Sequence, residues 1–278
     1  MGLTVTLLIA TVVVLVAILA VRITTYLGFP SLLLYLALGV VVGSSGISPE
    51  WHDADVAKDL GTLALVVILA EGGLTTRWRD VRPHLALGLA LSTVAVAVSV
   101  VVMATFMIAV LGMSWQVAVV IGAVISSTDA AAVFSVLRRL GLPPKVTGAL
   151  ELESGLNDAP VILLVTFLSV PLSEVLPWWQ IALLIGYELL AGLLIGLLIG
   201  RAGAWLMRRG ALPSAGLYAL MAVALLLLAY EVAAVSHASG FLSVYVAGVV
   251  LGNANLPFSA RSSALPRRSP GWRRSACS

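Results

Sequence analysis

The sequence is short of charge. Only 10% of its 278 residues are Asp, Glu, Lys or Arg, against 60% hydrophobic, and mean hydropathy is +1.09. A soluble domain carries about a quarter charged residues, so a soluble globular fold is excluded and a polytopic membrane protein is indicated. Cysteine is nearly absent. The lone Cys277 excludes an intrachain disulfide and any multi-cysteine metal site. Three histidines, His52, His84 and His237, show no ligand spacing. The net charge of +3 is spread through short loops instead of forming a basic surface, which argues against a nucleic-acid partner. The Met1–Ala20 run has no positive segment before it and no small-residue cleavage pattern after it. It reads as a retained first helix, not a secretion signal.

What is present is a succession of apolar runs of bilayer-spanning length, about 17–25 residues each. The expected spans are 3–21, 30–47, 57–76, 84–111, 115–138, 147–171, 178–200, 214–236 and 239–254. With the N-terminus outside, 15 of the 16 Lys and Arg residues fall on one side, and only Lys58 lies on the other. The positive-inside rule makes the arginine side cytoplasmic. The expectation is an all-α fold of about nine transmembrane helices in the plasma membrane, N-terminus out and C-terminus in. Gly192, Gly196 and Gly200 recur every four residues in the seventh span and predict close packing, within the chain before between chains. Trp178 and Trp179 open that span and fit an interfacial aromatic belt.

Against this background, the carboxylates inside the spans stand out, because each costs about 2.5–3.5 kcal/mol on insertion scales. They gather in Ser126–Pro160, as Ser126-Ser127-Thr128-Asp129 on the fifth span and Glu151-Leu152-Glu153-Ser154-Gly155-Leu156-Asn157-Asp158 on the sixth. At 1.5 Å per residue, Asp129 sits roughly 21 Å and Asp158 roughly 16 Å along their helices. Both depths are near the middle of a core about 30 Å thick, so antiparallel neighbours can share one site. Ser154 and Asp158 are four apart on one face with Glu151, and Glu153 and Asn157 form the adjoining stripe. The Ser126–Asp129 run has poor helix propensity and side chains that compete for backbone groups. A break is expected near Thr128-Asp129, tolerated at depth where protein or water surrounds it.

Oxygen ligands suit a hard cation. Asp158, Ser154, the Thr128 backbone and Asp129 are candidates to hold a monovalent one, with Asn157 adding polarity but no second titrating charge. A carboxylate in a low-dielectric site that accepts either a proton or a cation is sufficient for antiport. Glu71, in Ala70-Glu71-Gly72-Gly73, lies near the arginine end of the third span. Glu153 reads as a structural buried charge in need of a cationic partner. Glu188 and Glu231 lack a polar cluster around them and read as packing or cavity residues, Asp53, Asp55 and Asp59 as a solvated loop, and His237 as an outer-interface residue.

Glu71-Gly72-Gly73-Leu74, Ser127-Thr128-Asp129-Ala130 and Glu151 through Asp158 resemble the monovalent cation:proton antiporters of the NhaP-like branch, over about Leu3–Asn255. The resemblance implies Asp158 as the ion- and proton-carrying residue, with Ser154, Thr128, Asp129 and Glu71 around the cation. It implies electroneutral one-for-one exchange of potassium or sodium for protons, associated with the Asn157-Asp158 pair, and an arginine on a later helix for Glu153. It further implies a homodimer, no cofactor beyond the transported ions, and a transporter, not an enzyme, serving pH homeostasis. The family fold has about a dozen or more helices in two inverted repeats with crossing broken helices. Residues 1–257 are therefore expected to be an exchanger-type transmembrane domain with an incomplete second repeat. Residues 258–278 are a basic Ser/Arg/Pro-rich tail, read as disordered or as the product of a frameshift. Two other readings stay open on the residues, an intramembrane aspartyl protease using Asp129 and Asp158 and a non-transporting truncated membrane subunit. The protease's Gly-x-Gly-Asp motif is absent.

Overall fold

The structure is a computed structural model. It describes residues 54–128, 144–171, 173, 175–210 and 214–254, with fragments at 8, 11–12, 14–19, 34–37 and 39–40. The first two expected spans are thus described only in fragments. Asp129, Ala130, the basic turn after them and the 258–278 tail lie outside the described residues. Every regular element among the described residues is helical.

Helix α1 spans Ala54–Thr75 and α2 spans Trp78–Val81. A 3-10 turn at Arg82–His84 leads into α3, Leu85–Ala90, and a π segment at Leu91–Ala95 continues into α4, Val96–Leu111. Together Trp78–Leu111 forms one apolar rod of 34 residues, long enough to cross a membrane. Gly112 ends it in the left-handed region, φ 65°, a conformation that costs glycine nothing. Then come α5 (Trp115–Ser126), α6 (Pro144–Leu168), α7 (Trp178–Arg209), α8 (Ala215–Val235) and α9 (Gly240–Gly252). Trp178–Arg209 and Gly216–Val235 are also of spanning length. Ser239 caps α9 by accepting a hydrogen bond from the Leu242 amide at 3.4 Å.

Two bundles make up this arrangement. One packs α1, α7, α8 and α9 around Val66, Leu69, Met207, Leu226, Val244 and Leu251. The other packs α4, α5 and α6 around Val96, Val100, Ala123 and Val161. The buried positions are rich in small residues, with Ala118, Ala123, Ala229, Ala233 and Ala247 fully covered, while Val101, Leu111, Leu198 and Leu220 point outward. That distribution suits a hydrocarbon solvent, where burying leucine gains little and close backbone approach gains dispersion contacts.

The α7 glycines serve packing inside the chain, as their spacing predicted. A Cβ on Gly192 would stand 2.5 Å from the Ser239 carbonyl oxygen, and one on Gly196 would stand 2.5 Å from that of Ser243. Only glycine lets α9 lie this close. Across the other bundle, a Cβ on Gly88 of α3 would stand 2.5 Å from the Leu152 Cβ of α6. The side chain of Gln116, at the start of α5, donates to the carbonyls of Leu168 and Val170 at 2.6 Å each. This ties the outset of α5 to the far end of α6 and fixes the pair antiparallel, so that their polar stretches fall at one level.

Candidate ion site at the end of α5

Helix α5 stops at Ser126. Ser127 takes an extended conformation, φ −74° and ψ 132°, and Ser127 and Thr128 lie outside the helix. The Ser126 hydroxyl turns back to the Gly122 carbonyl at 2.6 Å, the local competition for backbone acceptors that favours a helix end here. The helix thus ends where a break was expected, and residues 129–143 lie outside the described ones. A helix stopped partway through a bundle presents its last carbonyls and next side chains to whatever sits at that depth.

What sits there is α6. The Ser127 hydroxyl donates to Asp158 Oδ1 at 2.8 Å. The Thr128 hydroxyl donates to Glu153 Oε1 at 2.9 Å. Asn157 Nδ2 donates to both, to Thr128 Oγ1 at 2.7 Å and to Glu153 Oε1 at 3.0 Å. Thr128, Glu153 and Asn157 therefore close a triangle, beside which Asp158 is held by Ser127. Glu153 is 9% exposed and Asn157 not at all, whereas Asp158 is half-buried and Thr128 exposed. The carboxylates thus occupy unlike environments. Glu153 is immobilised by two donors in the protein interior, and Asp158 stands at a partly open edge.

Asn157 Oδ1 is buried and has no hydrogen-bond partner among the described residues. Both amide hydrogens are directed at Thr128 and Glu153, so the carbonyl end faces away from the triangle. A buried oxygen without a donor is suited to a water or a cation. Helix α6 runs through Pro160, which supplies no N–H to the Leu156 carbonyl one turn below. The chemistry of this donor set, carboxylate, hydroxyl and amide oxygens, is that of a hard cation site.

The sequence-predicted residues divide as follows. Asp158, Thr128, Asn157 and Glu153 come together. The backbone of Ser154 lies on α6 between them, but its side chain, like that of Glu151, is outside what the structure describes. Glu71 is exposed on α1 and makes none of the hydrogen bonds of the cluster. Glu153, expected to need a cationic partner, is held by the hydroxyl of Thr128 and the amide of Asn157. Ser127 was read only as part of the helix-breaking run, yet its hydroxyl is the group that reaches Asp158. Its signal was the Ser-Ser-Thr run itself, but spacing alone does not say which hydroxyl of a broken helix points inward.

Residues 9–265 match the family described as "Sodium/hydrogen exchanger, transmembrane". Among its relatives, the chain is 36% identical over 257 residues to the K(+)/H(+) antiporter NhaP of Alkalimonas amylolytica, covering 91% of this chain and 44% of that one. It is 32% identical over 245 residues to the K(+)/H(+) antiporter NhaP2 of Shewanella sp. strain ANA-3, covering 86% of this chain and 42% of that one. The fold is similar to that of the sodium proton antiporter MjNhaP1 from Methanocaldococcus jannaschii at pH 8. The TM-score is 0.75 at 20% identity, with 91% of this chain and 63% of that chain covered. The chain spans less than half the length of the two relatives. The all-helical antiporter fold expected from the sequence is thus the observed one.

Proposed function

The chain belongs to the sodium/hydrogen exchanger family, with NhaP-like antiporters among its relatives, and from that premise we propose that it exchanges a monovalent cation for protons across a membrane. Asp158 is the group that carries cation and proton in turn. The observation that supports this most directly is its position, half-buried at the break of α5 with one oxygen held by Ser127 at 2.8 Å. A carboxylate fixed at an edge can shed a proton and take a cation without moving its backbone. Thr128, Asn157 and Ser154 supply further oxygens, and Asp129 and Glu71 complete the surroundings. Glu153 is the structural member, holding Thr128 and Asn157 in place (the Thr128 hydroxyl is spent on Glu153). With one titrating carboxylate at the carrier position and a neutral Asn157 beside it, exchange is one for one and electroneutral.

Relatives named as potassium/proton antiporters and a similar fold named as a sodium proton antiporter make both cations substrates to be assayed. In vesicles holding the protein and a preset pH gradient, addition of potassium or sodium collapses the gradient, and Asp158→Asn abolishes the collapse. Cation-driven proton flux that survives Asp158→Asn refutes the mechanism. Clamping the membrane potential leaves the rate unchanged, and a clear voltage dependence contradicts one-for-one exchange.

A further inference from the structure

The two bundles do not close on each other everywhere. Between them lies a cleft of about 650 Å³, within the roughly 300–1,000 Å³ typical of small-molecule pockets. Its body is leucine. Leu152 and Leu156 of α6 face Leu189, Leu193 and Leu197 of α7, with Val246 of α9 beside them. Its one charged group, Arg201, lies at the end lined by Thr76, Trp78 and Asn253, and Ser92, Thr93 and Tyr245 are the other polar residues on its walls. That end is fastened from within, because the Trp78 amide donates to Asn253 Oδ1 at 2.9 Å and Asn253 Nδ2 donates to the Thr76 carbonyl at 2.8 Å. Arg77, Arg79 and Arg82 flank Trp78 and are exposed, with Asp80 the one acid among them. A leucine-walled slot with an arginine-rich mouth is a bipartite receptor, apolar along its length and cationic at one end.

We propose that this cleft holds one anionic glycerophospholipid, with an acyl chain along the leucines and the phosphate at Arg201 and its neighbours. The positive-inside rule puts this arginine-rich mouth at the cytoplasmic leaflet, which carries the anionic lipids, and basic pockets between transmembrane helices on that side suit such headgroups. Among the described residues that line it, Glu153, Asn157 and Asp158 do not appear and aliphatic side chains predominate, so the proposed lipid lies apart from the candidate ion site. Leu152 and Leu156 occupy the α6 stripe next to that of Glu153 and Asn157. A lipid seated there touches the helix that bears the candidate site and bridges it to the other bundle. The inference goes beyond the transport reading and does not depend on it.

The test uses the full chain purified in detergent, titrated separately with dioleoylphosphatidylglycerol, dioleoylphosphatidylcholine and inorganic phosphate, with retained molecules counted by native mass spectrometry. The expected result is one phosphatidylglycerol retained at least tenfold more strongly than phosphatidylcholine and not displaced by phosphate. Arg201→Gln lowers its retention to the phosphatidylcholine level, and Leu193→Trp, which fills the slot, removes it. Circular dichroism checks that each variant is folded, and Leu197→Phe replaces Leu193→Trp should that variant not fold. Equal retention of the two lipids, or retention unaffected by Arg201→Gln, overturns the proposal in favour of nonspecific annular lipid. Displacement by inorganic phosphate, or tight binding that survives filling the slot, overturns it in favour of a headgroup-only anion site. Failure of the unmodified chain to retain any lipid overturns it in favour of a cleft covered by protein.

Discussion

The Thr128–Glu153–Asn157 triangle can be taken apart one side at a time, and its geometry sets what each step costs. Thr128→Val keeps the shape of the side chain and deletes the hydroxyl. That removes a bond donated to Glu153 at 2.9 Å and one accepted from Asn157 at 2.7 Å. A bond to a neutral partner contributes about 0.5–1.5 kcal/mol and one to a charged group about 1.5–3 kcal/mol, so Thr128→Val is expected to cost about 2–4 kcal/mol. Asn157→Leu removes two bonds as well and costs a similar amount. The two changes share the Asn157–Thr128 bond and a common acceptor in Glu153, so the double variant loses less than the sum. The expected coupling is about 0.5–3 kcal/mol, the range for residues in one network. Unfolding free energies in mixed dodecylmaltoside and dodecyl sulfate micelles provide the measurement. Thr128→Ser retains both bonds and stays close to the unmodified protein. Additivity of the two single variants within about 0.3–0.5 kcal/mol, the behaviour of independent sites, refutes the triangle.

Two further outcomes follow from packing and pairing. Gly196→Leu drives a side chain into the Ser243 carbonyl, 2.5 Å from where its Cβ would sit, and is expected to lose about 1–3 kcal/mol by overpacking. Gly186→Leu, with nothing within 4 Å, stays within about 0.5 kcal/mol as an ordinary surface change; equal effects in the same micelle assay contradict the α7–α9 contact. Gln116→Leu leaves the Leu168 and Val170 carbonyls without their side-chain donor and is expected to cost about 1–3 kcal/mol. Hydrogen exchange of α5 and the end of α6 reads this as faster local opening, and unchanged protection rules the staple out.

Much of the molecule is legible in its residues, because a membrane imposes rules that act on sequence directly. An apolar run must be a helix, since no water is there to satisfy an open backbone. Hence the all-helical fold, the close-packed glycine face at Gly192, Gly196 and Gly200, and a helix interruption close to Thr128 could each be read from composition and spacing. The same rules pick out Asp158, Glu153 and Asn157, since a carboxylate or amide at depth is expensive wherever it points.

Pairing across helices was not legible. Sequence spacing places Glu153 and Asn157 on one stripe, but it holds no information about which hydroxyl of the neighbouring helix meets that stripe. That choice depends on where α5 stops relative to α6, and the register is set by Gln116 at one end and by the extended turn at Ser127 at the other. One residue of slip would exchange Ser127 for Ser126 opposite Asp158. It is the same for the leucine cleft, whose walls come from helices far apart in the chain. By itself the sequence determined that this is a helical membrane protein with acids inside apolar runs, since solvation acts on each residue alone. Only the tertiary structure decided that Glu153 is locked by Thr128 and Asn157 while Asp158 keeps an open edge, because hydrogen bonds need two partners brought within about 3 Å.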